Sequence, residues 1–289
     1  VAGGVGGGGA RVRPVLALDT ATDHVALGVG DLDAPGRVIA ARDFPAPRAA
    51  NTVLTAEIER VLASADIMPR DLAAVVCGRG PGSFTGVRIG VATAKGIAHA
   101  LGVPLVGVGT LDAVARRANT EGLLGVVGDA MRGEVYPALF RVHAGIVARL
   151  TIDRVAGPRE VAAEWAALDE PVALAGNALG KHAGVFRDAL GDRGRVLAER
   201  VWVPDGASLI EAAWVARGEM TLSRMADLDP EAARRAADPA LLLPVYTRLS
   251  DAEEAERRAA AGMRGDACDA RGSAPDVSGV AGPPPEAAR

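Results

Sequence analysis

Aromatic residues make up only 3% of this 289-residue chain, so its core cannot rest on large rings. It must be closed by small side chains and by backbones that come near one another. Cysteine is scarce as well. Cys77 and Cys268 lie far apart, which excludes a disulfide framework and a zinc-ligand spacing and points to a reducing compartment. The four histidines, His24, His99, His143 and His182, show no two-histidine spacing on a helix, so no metal-binding pair is expected among them. No apolar run approaches the length of a membrane span, and the opening VAGGVGGGGARVRP has glycine where a signal peptide carries its hydrophobic stretch. These absences predict a cytoplasmic protein. Positive charge is not in excess either: 32 basic against 36 acidic residues leave a net of −4. A domain that holds nucleic acid by neutralising phosphates is usually clearly basic, so any RNA contact is expected to come through a partner.

Val15-Leu16-Ala17-Leu18 ends in Asp19 and is followed by the polar Thr20-Ala21-Thr22-Asp23 and the alternating Val25, Leu27 and Val29. That pattern predicts strand, tight turn, strand. A third strand is expected around Val38 to Phe44. After Pro45 and Pro47, the positions Val53, Leu54, Ile58, Val61 and Leu62 have helical spacing, with Asn51 as the expected N-cap. A short apolar run, Ala73 to Cys77, enters the glycine-rich stretch GRGPGSFTGVRIG from Gly78 to Gly90. Helix-favouring sequence then runs to about Leu101, and Leu105 to Val108 reads as a strand. The order repeats: Leu123 to Val127 with Asp129, a turn over residues 130–133, Val135 to Val142, a strand near Ile146 to Ile152, a helix over Pro158 to Leu168, and Val172 to Ala175 running into Gly176-Asn177-Ala178-Leu179-Gly180. Two α/β halves with mixed sheets are predicted, and the duplicated actin-like ATPase fold, with its ribonuclease H-like halves, is the best-known fold of that kind. The expected division is a Gly-rich leader over 1–13, an N-terminal domain over 14–110, a C-terminal domain over 111–250 and a tail over 251–289 without apolar periodicity.

The stretch from Gly78 to Gly90 is the most specific signal. Gly78, Gly80 and Gly82 around Pro81 permit a tight exit from a strand, and Ser83 is placed to cap the following helix. Such a turn exposes N–H groups at a helix N-terminus, which favours an anion. The spacing matches neither a Walker loop nor a dinucleotide fingerprint, so a structural turn and a phosphate cradle both stay open. Asp19 and Asp129 each end a strand before a turn, where actin-like ATPases hold metal-bound phosphates. With Thr20, Gly80 and Gly82 they form a candidate phosphate site that reads as vestigial, because Ala21 stands where working members place glycine. A turn-capping aspartate is the plainer alternative for each. Along the next helix, Gly86, Gly90, Ala94 and Ala98 recur every four residues and make a face without bulk, open to another helix or to the chain's own sheet. Arg79 and Arg88 flank the loop and can meet a phosphate, a partner's carboxylate or solvent.

The run Gly78 to Gly90, then Thr93-Ala94-Lys95-Gly96 and Pro104-Leu105-Val106-Gly107-Val108-Gly109-Thr110-Leu111, resembles the hallmark of the TsaB family. Leu18-Asp19-Thr20, residues 129–136 and Pro244-Val245-Tyr246-Thr247-Arg248 carry the same resemblance, which spans about residues 14 to 250. It implies a two-domain actin-like fold and a non-catalytic paralogue of TsaD, the subunit that transfers threonylcarbamoyl to adenosine beside the tRNA anticodon. It further implies a heterodimer with TsaD joined by the small ATPase TsaE, a homodimer when isolated, tRNA contact only through the complex, and no cofactor or metal. The implied partner surface comprises Asn51, Leu54 and Ile58 on the first helix and Ser83, Phe84, Gly86, Arg88, Gly90 and Ala94 on the second. Two positions depart from the family pattern: Ala50-Asn51 replaces a frequent His-Ser, and Pro137 falls inside an expected strand, which suits an edge or bulge. The rival expectation is an independent enzyme of the same fold, an ATP-dependent phosphotransferase or a peptidase.

Overall fold

The computed structural model describes residues 12–214 and 242–245. The expected leader up to residue 11, the tail over 251–289, Cys268 and Tyr246-Thr247-Arg248 lie outside the described residues.

The first strand, β1 (Pro14–Asp19), is buried along its whole length, which is why it reads as a continuous apolar run. Its side chains alternate between two cores, Leu16 and Leu18 on one face and Val15 and Ala17 on the other. It is the central strand. β2 (His24–Asp31) pairs antiparallel with β1, and β3 (Ala34–Pro45) pairs antiparallel with β2. β4 (Ala74–Gly78) and β5 (Leu105–Val108) extend the other side in parallel, giving the order β3-β2-β1-β4-β5. Helices α1 (Ala50–Ser64) and α2 (Phe84–Leu101) cover the Leu16 face. After α3 (Thr110–Ala118), the arrangement recurs with β6 (Gly122–Asp129) in the centre, β7 (Val135–His143) and β8 (Ile146–Arg149) antiparallel on one side, and β9 (Val172–Ala175) and β10 (Gly194–Val196) parallel on the other. Helices α4 (Pro158–Ala166) and α5 (Leu179–Leu190) cover its outer face. Two sheets of identical strand order, each with three antiparallel strands followed by two parallel ones, constitute the duplicated actin-like fold.

Among the described residues, the α-helix that follows the last strand of each sheet packs on the other sheet. Leu111, Val114 and Ala115 of α3 join the core of the second sheet, while α6 (Gly206–Trp214) places Leu209, Ile210 and Ala213 against Val15 and Ala17 of the first. Helix α6, which a linear division at residue 110 assigns to the second half, thus packs on the first sheet. Backbones meet there. A Cβ on Gly28 would lie 2.8 Å from the backbone of Gly206, and one on Gly206 would lie 2.1 Å from Leu27 O. This contact is the structural counterpart of a glycine-rich, aromatic-poor composition.

Asn51 is not the N-cap of α1: the cap position is Ala49, with no side-chain hydrogen bond, and Asn51 sits exposed in the first turn with its Oδ1 accepting from Thr52 Oγ1 at 3.4 Å. Pro137 does lie in β7, paired with Val127. On the outer side of β7, Val135 N donates to Ala156 O at 3.0 Å and Leu139 N donates to Thr151 Oγ1 at 2.9 Å. Pro137 shares their parity, so its missing donor falls on that outer side, beyond the reach of β8, which pairs only with Phe140–His143.

Candidate functional site

Asp19 leaves β1 completely buried. Its Oδ2 accepts from Thr110 Oγ1 at 2.6 Å and its Oδ1 from Ala21 N at 2.7 Å. The same Thr110 hydroxyl accepts from Gly80 N at 3.1 Å, and Thr110 N donates to Gly80 O at 2.8 Å. Thr110 therefore stitches the head of α3 to the turn after β1 and to the glycine loop. Gly78 is required beneath this network, since a Cβ there would lie 1.8 Å from Asp19 Oδ2. Burial pushes the Asp19 carboxyl up to about 6 against the lowering effect of Thr110 and the Ala21 N–H. Burial also pushes the neighbouring Cys77 thiol up, with Asp19 adding to the effect.

Gly80 takes φ +91°, the left-handed region that favours glycine, and Ser83 caps α2 by accepting from Gly86 N at 3.3 Å. Behind the loop, Val245 N donates to Arg79 O at 2.8 Å, and Leu242 sits where a side chain on Gly107 would have to go, its Cδ1 2.3 Å from that Cβ position. The end of the described chain thus straps the base of the loop.

The cleft between the sheets is lined by Ala21, Gly82, Thr110, Gly128, Asp129 and Asn177, among others, and measures about 280 Å³ counting its open mouth. Asp129 is bonded through both oxygens and its N–H: Lys181 Nζ pairs with Oδ2, Met131 N donates to Oδ1 at 2.9 Å, and Asp129 N donates to Asn177 Oδ1 at 2.9 Å. Of the five phosphate-site residues expected from sequence, Gly82 and Asp129 line the cleft, while Asp19, Thr20 and Gly80 are turned into the supporting structure. The Asp19 carboxylate is enclosed by Thr110 and Ala21 and does not line the cleft, so it is not presented there to a metal-bound nucleotide. Thr110, Asn177 and Lys181 were not singled out from sequence, because nothing in linear order brings them to the two aspartates. The one available signal was the position of Thr110 after a strand, at the head of a helix.

The bulk-free face of α2 has a definite partner in this chain. Thr20 Oγ1 donates to Gly86 O at 2.6 Å, a Cβ on Gly86 would lie 2.1 Å from Thr20 O, and one on Gly90 would lie 2.5 Å from Thr20 Oγ1. Ala94 is fully buried with Leu54 and Ile58 in the core of the first sheet. The expectation that Gly86, Gly90, Ala94, Leu54 and Ile58 face a partner is therefore corrected: these residues face the β1 turn and the chain's own core, where the close approach of α2 needs them small. Asn51, Ser83, Phe84 and Arg88 are exposed, with the Arg88 guanidinium 3.6 Å from the centre of the Phe84 ring.

Among the described residues no group of three or more His, Cys, Asp and Glu is placed to hold a metal, and no helix is long and apolar enough to cross a membrane.

The sequence model of the family described as TsaD, tRNA N6-adenosine threonylcarbamoyltransferase, matches residues 45–178. The tRNA threonylcarbamoyladenosine biosynthesis protein TsaB of Bacillus subtilis is 31% identical over 201 residues, covering 68% of this chain and 78% of that protein. An uncharacterized protein of Mycobacterium tuberculosis is 40% identical over 179 residues, 61% of this chain and 77% of its own length. Among solved structures, YeaZ from Pseudomonas aeruginosa matches with a TM-score of 0.63 at 26% identity, covering 81% of this chain and 99% of that one.

Proposed function

The chain belongs to the TsaB family, and from that premise we propose that it is the non-catalytic partner that holds and activates TsaD in the synthesis of tRNA threonylcarbamoyladenosine. The observation that carries the non-catalytic part is the enclosure of Asp19: at the position where an actin-like ATPase presents a carboxylate to metal and phosphate, both oxygens are bonded to the chain's own Thr110 and Ala21. Asp129, its counterpart in the second half, is paired with Lys181. Partner binding is assigned to the exposed side of α1 and α2, with Asn51, Ser83, Phe84 and Arg88 at its end nearest the glycine loop. TsaE joins the pair, the isolated chain is able to pair with itself, and tRNA is reached through the complex, in keeping with a net charge of −4. The work is done in the cytoplasm.

The test is reconstitution with the TsaD and TsaE of the same genome. This chain should co-purify with TsaD, the full set should modify tRNA, and the chain alone should neither modify tRNA nor turn over ATP. Turnover by the chain alone, or failure to co-purify, would overturn the assignment.

A further inference from the structure

Among the described residues the chain passes between its two sheets twice, first through α3 and again through residues 197–205, which run from β10 to the head of α6. In a two-lobed fold these crossings are the places where a hinge has to bend. Both are tied down by arginine. Arg117, near the end of α3, reaches the second crossing, donating from Nη1 to Val203 O at 3.2 Å and to Pro204 O at 3.3 Å, while its Nε pairs with Asp205 at 3.1 Å. Its Nη2 pairs with Asp43 of β3 at 3.4 Å. Asp205 is itself fixed, because it caps α6 by accepting from Ser208 N at 2.8 Å. One side chain thus joins both crossings to the edge of the first sheet, and Arg116 adds an ion pair to Glu211 of α6 at 3.2 Å.

The second sheet is tied to the same helix. Arg149, at the end of β8, pairs with Asp112 of α3 at 3.1 Å and with Asp153, and lies 5.6 Å from the centre of the Phe140 ring. The side chains of Arg149 and Asp112 are both more than nine-tenths buried, so water screens their attraction little. At its head, Thr110 bonds to Asp19 and to Gly80. From end to end, α3 is bonded to the first sheet, to the second sheet and to the other crossing.

We propose that α3 is a cross-braced hinge, with Arg117 and Arg149 tying it to both lobes, so that the lobes keep one relative angle and do not close on a ligand in the cleft. The fold's two-lobed architecture is retained as a rigid frame. The brace is internal to the chain and requires no TsaD, so its test is separate from that of the partner assignment.

Spin labels at Ala63→Cys on α1 and Ala189→Cys on α5, both exposed positions, report the distance between lobes in the full chain carrying Cys268→Ser. The expected result is a single narrow distance distribution that millimolar MgATP neither shifts nor narrows. Arg117→Lys keeps the charge but cannot hold four acceptors in a planar fork, and it should broaden the distribution by several ångströms, as should Arg149→Ala. A broad distribution in the parent chain, or a shift of several ångströms with MgATP, would overturn the proposal even if neither variant folds. So would distributions as narrow as the parent's in both variants once circular dichroism shows them folded.

Discussion

Gly90→Ala adds one methyl group to α2, and the structure states where it goes: 2.5 Å from Thr20 Oγ1 and 3.6 Å from Leu18 Cδ1. Thr20 has little freedom to give way, since its hydroxyl donates to Gly86 O at 2.6 Å in a buried position. Crowding of this kind costs about 1–3 kcal/mol, and loss of the Thr20 hydrogen bond adds about 1 kcal/mol. Against this stands the gain of about 1 kcal/mol from replacing glycine by alanine inside a helix. The net is a destabilisation of about 1–3 kcal/mol, which in a protein of this size lowers Tm by about 2–4 °C per kcal/mol. Gly96 supplies the control on the same helix: it is exposed and a Cβ there meets nothing within 4 Å. Gly96→Ala should therefore raise Tm by about 2–4 °C through helix propensity alone. Thermal melts of the isolated chain measure both, and the same melts in a Thr20→Ala background localise the cause, since removing the hydroxyl should relieve most of the Gly90→Ala penalty. If Gly90→Ala melts at or above the parent, or costs as much without the Thr20 hydroxyl, then α2 does not press its glycine face on the β1 turn and the packing described above is wrong.

Substituting Phe84→Ser together with Arg88→Glu should cost Tm no more than about 2–4 °C, for the loss of their cation–π contact, but should weaken capture of TsaD by about ten- to a hundredfold; retention at the parent level would remove this end of α2 from the partner surface. The Asp19 carboxyl is raised from 3.8 to about 6, so between those values the folded state binds the proton more tightly than the unfolded chain, and this site's contribution to stability rises as pH falls through 6. The stability of the parent relative to Asp19→Asn should then increase from pH 7.5 to 4.5, by at most about 3 kcal/mol, and urea midpoints that keep a constant difference across that range would contradict the burial. Cutting the chain before Leu242 should lower Tm by about 2–4 °C for each kcal/mol lost, because Leu242 packs over Gly107 and Val245 N bonds Arg79 O. Cutting after residue 251 should leave Tm nearly unchanged, and equal melting of the two truncations would show that the strap contributes nothing.

The sequence by itself determined most of the strands, three of the helices and the duplication, but not α3, α5, β10 or α6. Alternation in Val25, Leu27 and Val29, the buried run of β1, the Ser83 cap and the glycine exit from β4 are local consequences of side-chain period and backbone sterics, and the strands and helices formed where those patterns put them. It also carried the family resemblance, because the glycine stretch and the two strand-ending aspartates are contiguous motifs. Periodicity along α2 announced a face without bulk but could not name its neighbour: a helix sees the same small residues whether a partner helix or its own β1 turn lies opposite. Only the tertiary structure decided that, by bringing Thr20 to Gly86 and Gly90 across 66 and 70 positions of chain. The same holds for Asp19, whose role turns on Thr110, 91 residues away, and for Arg117, which the sequence presents as one of two adjacent arginines ending a helix. Contacts between residues so far apart are set by how the sheets and crossings pack, and packing, unlike period, leaves no mark in the order of residues along one segment.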